Sequence, residues 1–72
     1  MRRDAAEKIN ALMLECTTKI NESIRIVMDT CDEDEFVLYR RTAGRIMGDV
    51  FLDILDPIYK EYPDLDPDSD ST

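Results

Sequence analysis

The sequence predicts an all-α protein: an antiparallel hairpin of two long helices, a short C-terminal helix, and a second copy completing a four-helix bundle. Three observations predict it. Apolar residues recur at spacings of three and four through most of the chain. Glycine and proline are scarce, 2 and 3 in 72 residues, so little interrupts a helix. A chain this short also has too much surface for its volume to be covered by a core of its own.

The first helix is expected from about Asp4 to Cys31. Ile9, Met13, Cys16, Ile20, Ile24, Val27 and Cys31 follow one another at alternating steps of four and three. At the winding of an α-helix they fall within an arc of about 80°, which Ala5, Ala6, Leu12 and Met28 widen. Glu7, Glu15, Glu22, Arg25 and Asp29 occupy the other side, and Asp4 with Lys8 and Glu15 with Lys19 have the acid-before-base order that favours i, i+4 pairs. Cys16 and Cys31 are expected to be small hydrophobes of the apolar face. On one helix they lie about 22 Å apart, too far for a disulfide.

A connection follows at Thr30-Cys31-Asp32. Thr30 with Glu33, and Asp32 with Glu35, both have the spacing of a capping box, and the acids of 32–35 suit the positive end of a helix dipole. The second helix is therefore expected from Glu33 to Leu55, folding back on the first. Its apolar set includes Phe36, Tyr39, Ala43, Ile46, Met47, Val50, Phe51, Ile54 and Leu55. In an unbroken α-helix these span close to 200°, more than one neighbouring helix covers. This width is the sequence's main argument for a homodimer.

Pro57 lacks an N–H and crowds the preceding turn, so a kink or a fresh short helix is expected over 58–62. Residues 1–62 then form one helical domain. Residues 63–72 carry four aspartates and a single large apolar side chain, Leu65, and read as a disordered acidic tail that is dispensable for folding. The alternating acids Asp64, Asp66, Asp68 and Asp70 have the opening spacing of a calcium loop. Ser69 stands where that loop needs glycine, and the closing glutamate has no counterpart.

Two features of the second helix stand out. Gly44 and Gly48, one turn apart, each cost about 1 kcal/mol relative to alanine, which points to close packing against another helix. Arg40, Arg41 and Arg45 form a basic cluster and a candidate interaction or anion site. Arg45 has Asp49 at i+4, whereas Arg40 projects into the apolar arc and is expected to meet a carboxylate.

The net charge of −8 opposes binding to nucleic acid or to anionic membranes and leaves room for a basic protein partner. No apolar run has the length of a membrane span and no signal segment opens the chain, so a cytoplasmic protein is expected. There is no histidine, no nucleophile beside a base, and no ligand cluster beyond two separated thiols. The expectation is a non-enzyme without cofactor or metal. No motif names an activity. The reading that remains is a small acidic homodimeric interaction or regulatory protein that binds another protein. The alternative is a binder of small anions or phosphate-bearing ligands through Arg40, Arg41 and Arg45 at the dimer seam.

Overall fold

The computed structural model describes residues 1–68, and the last residues of the expected tail lie outside it. Helix α1 spans Arg3–Thr30 and α2 spans Glu33–Asp49. The two run antiparallel, tied part-way along by the Tyr39 hydroxyl, which donates to Ser23 Oγ at 2.8 Å. Of the two capping boxes, Asp32 is the one used: its carboxylate accepts the Glu35 amide at 2.8 Å. Thr30 instead turns its hydroxyl back to the Ile26 carbonyl, 2.6 Å away, and closes α1. Glu15 and Lys19 form their i, i+4 pair at 3.4 Å. Asp4 pairs with Arg2 at 3.3 Å rather than with Lys8. Asp32→Ala strips an amide acceptor from the start of α2 and is expected to cost about 0.5–2 kcal/mol, measured by urea denaturation.

Helix α2 does not run unchanged to Leu55. From Val50 to Leu55 the backbone winds as a π-helix, and α3 follows over Asp56–Glu61 with no break in its helical dihedrals. The Val50 amide is shared between the Ile46 and Met47 carbonyls, and the Asp56 amide reaches back five residues to Phe51. Pro57 supplies one reason, since its ring would strike the carbonyl four residues earlier in an α-helix. Packing supplies the other. Leu55, five residues after Val50, would stand roughly 140° around an α-helix from it, facing away from α1. The slower winding of the π turn brings Leu55 back, and it is fully buried together with Ala6 and Ile58. Carrying α-helical register past Val50 therefore exaggerates the apolar arc of the second helix.

Around Ala6, Leu55 and Ile58 pack Ile9, Met13, Leu14, Val50, Tyr59, Tyr62 and Leu65. The core thus sits at the end of the hairpin far from the Cys31–Asp32 turn. Leu55→Ala leaves a cavity at its centre, and an expected loss of about 2–5 kcal/mol should appear as an earlier urea midpoint.

At the start of the expected tail, Pro63–Leu65 forms a 3-10 turn. Leu65 joins the core cluster, and Asn10 Nδ2 donates to its carbonyl at 3.3 Å. Arg3 grips the Asp64 carboxylate with two guanidinium nitrogens, and its charge lies 5.5 Å from the Tyr62 ring centroid. Tyr62 donates to the Met1 carbonyl at 2.6 Å, and the Met1 ammonium lies 3.3 Å from Glu61. Tyr59 donates to Asn10 Oδ1; burial, then Asp66 and Asp68, push its phenol above the ordinary range. A single apolar side chain and a cation from the far end of the sequence thus dock a segment rich in aspartate.

The Arg3 guanidinium holds the Asp64 carboxyl below the usual carboxylate range, while Asp64 raises Arg3 further above its own. Arg3 stays charged throughout, so the contact depends on Asp64. Its contribution is complete above about pH 5, where the carboxyl is ionised in folded and unfolded chains alike. It is lost as pH falls through the depressed folded value. The Leu65 methyl resonances in NMR spectra are expected to shift toward unfolded positions in that acid range, and Arg3→Met should remove this pH dependence.

Candidate functional site

The hairpin is one helical layer. Its extents are 44 × 26 × 16 Å and its radius of gyration is 14.6 Å, against about 11 Å for a compact chain of this length. Among the described residues the buried set is Ala6, Thr17, Ala43, Leu55 and Ile58. Many large apolar side chains stand in solvent instead, among them Leu12, Ile26, Met28, Leu38, Tyr39, Ile46 and Leu52.

A cleft of about 120 Å³ opens between α1 and α2, lined by Ile20, Ser23, Tyr39, Thr42, Ala43 and Ile46. Small side chains make its floor, because Ser23 and Ala43 leave the volume that larger residues would fill. Ser23 and Tyr39 are tied locally: Ser23 accepts from Tyr39 and donates to the Ile20 carbonyl at 2.6 Å. Thr17, buried nearby on α1, donates to the Leu14 carbonyl at 2.9 Å. The apolar stripe of α1 continues at helical spacing through Cys16 and Leu12, both exposed. Cys16 and Cys31 are free and exposed rather than buried. Cys16 lies on the open flank with Leu12, Glu15 and Lys19, and Cys31 lies past the end of α1, where no helix covers it.

The arginines divide. Arg40 is exposed and places its guanidinium 5.6 Å from the Phe36 ring centroid, one turn back on the same helix. It meets no carboxylate among the described residues; its guanidinium stacks on an aromatic face, with the charge left in water. Arg41 and Arg45, four residues apart, share a different face, and both are exposed. Neither makes an ion pair among the described residues, and Arg45 does not take Asp49. Base before acid is the weaker order for an i, i+4 pair. Asp49 and Asp53 likewise have no ion pair there.

Gly44 and Gly48 do not pack closely against α1. A Cβ built at either meets nothing within 4 Å, so the space beside them is open. The alternating acids are not gathered around an ion site: Arg3 takes Asp64, Asp66 accepts the Asp68 amide at 2.9 Å, and Asp70 lies outside the described residues. No group of three or more metal-ligating side chains occurs among the described residues, nor any helix long and apolar enough to cross a membrane.

Comparison with protein-family models, with curated proteins and with solved structures finds no match. The geometry alone therefore bears on function. What it offers is surface: an open apolar face over α1 and α2, and beside it arginines and aspartates without ion-pair partners among the described residues. Sequence reading missed the Tyr39–Ser23 tie, whose only sign was a tyrosine and a serine on facing apolar stripes. It also missed the Arg3–Asp64 clasp, which no local pattern announces.

Proposed function

We propose that this chain is a homodimeric helical interaction protein whose two hairpins meet through their open faces as a four-helix bundle. The observation that carries the reading is a single helical layer with its apolar side chains uncovered. Stable domains stack at least two layers around a core, and here one chain supplies one layer. The accessible surface of 5449 Å² is several hundred Å² larger than the ~4,600 Å² typical of a folded monomer of this mass. A standard interface removes about 800 Å² from each partner, which is of the same order. The assembled dimer carries its acidic surface outward, and that charge suits a basic protein as the onward partner. Two exposed free thiols fit the reducing cytoplasm.

A second reading has one observation in its favour. Among the described residues Arg41 and Arg45 have no acidic partner, in a chain with 17 acidic residues and 9 basic ones, which suits them to a phosphate-bearing ligand. Light scattering after size exclusion tests the first reading, and the expected mass is twice 8.3 kDa at micromolar concentration. A fully helical monomer there overturns it. Inorganic phosphate tests the second: a rise in melting temperature that Arg41→Met and Arg45→Met abolish supports an anion site.

A further inference from the structure

Resting on the self-association proposed above, we infer that the second copy lies antiparallel along α2, its Asp53 and Asp49 meeting Arg41 and Arg45 of the first. The charge order along this helical path is polar. From Phe36 to Met47 it carries three arginines and no acid, and from Gly48 to Leu55 it carries Asp49 and Asp53 and no base. A parallel second copy sets like charge on like. An antiparallel one sets the basic half of each helix on the acidic half of the other.

The spacings agree in detail. Arg41 and Arg45 are four residues apart, and so are Asp49 and Asp53. A two-fold axis at the level of Met47 sets Arg45 opposite Asp49 of the second copy and Arg41 near the height of its Asp53, where the path has passed into the π segment, each contact occurring twice. None of these four side chains has an ion-pair partner among the described residues. In a chain of net charge −8, arginines left without acids of their own call for acids from elsewhere.

The surface beside these charges fits a helix. Leu38, Thr42, Arg45 and Asp49 follow at steps of four, three and four, the repeat of a helix–helix seam, and Leu52 stands just past them in the π segment. Leu38 is 61% exposed and Leu52 70%, so both ends of the seam are bare apolar side chains. Apolar ends with a charged middle also fix the register. Sliding by one turn breaks two of the four ion pairs and sets like charges together.

Charge exchange tests the arrangement. Arg41→Glu with Arg45→Glu gives one full-length variant, and Asp49→Lys with Asp53→Lys gives another. Each variant alone faces its own copy with like charges, whereas an equimolar mixture restores all four opposite pairs. Native mass spectrometry and light scattering should show each variant dimerising at least about tenfold more weakly than wild type. The mixture should return to wild-type affinity as a heterodimer, and raised salt should weaken the wild-type dimer. If a variant alone loses its helicity, recovery of the circular dichroism signal on mixing supports the inference, and persistent loss overturns it. A wild-type dimer whose variants dimerise as well as wild type, or whose mixture gives no heterodimer, overturns this inference and leaves self-association standing. A monomeric wild type overturns both.

Discussion

The seating of Leu55 against Ala6 is the contact from which the rest of the arrangement follows. Ala6 is small enough for the chain near Leu55 to approach α1 closely, and both residues are fully buried. Reaching that position requires the helical path after Asp49 to turn more slowly than an α-helix, and the π segment does this just ahead of Pro57. Once Leu55 and Ile58 face α1, Tyr59 and Tyr62 fall beside the start of the chain. Asn10, Arg3 and the Met1 carbonyl then become their partners, or those of the residues just beyond. The C-terminal turn docks because this corner already exists.

Away from that corner the hairpin is held by less. Ala43 and Thr17 are its buried residues toward the middle, and both are small. Small residues let two helices approach but bury little apolar area, so burial contributes less there than around Leu55. The Tyr39–Ser23–Ile20 hydrogen bonds give direction to the middle of the hairpin rather than much energy, since a net hydrogen bond is worth about 1 kcal/mol. Specificity within the chain is therefore concentrated at one end, while most of the exposed apolar surface lies elsewhere.

What was legible in the sequence was local. The 3–4 spacing of α1 and the Asp32–Glu35 cap placed both helices of the hairpin, because each depends on residues within one turn. Pro57 marked where the helix had to adjust, but not how. The π winding answers to Leu55 finding Ala6, a contact between residues 49 apart in the sequence. Four aspartates obscured the docking of Leu65, because composition averages over the one residue that mattered and does not register an arginine sixty positions away. Arg40 was visible as an outlier on the apolar arc. Its contact with the ring of Phe36 one turn back is a matter of side-chain geometry rather than of spacing. Gly44 and Gly48 were read as evidence of close packing, and no described residue of the chain packs there.

The clasp between the first residues and the C-terminal turn also changes how the chain is connected. With residues 1–10 and 58–65 drawn into one corner, the described residues form a ring whose thin point is the exposed Cys31–Asp32 turn. Opening a ring at its thin point disturbs few contacts, since the segments on either side each reach the stable corner with their other end. Two peptides divided at that turn retain Ala6 on one and Leu55 on the other, which are the parts needed for them to find each other and rebuild the hairpin without a covalent link.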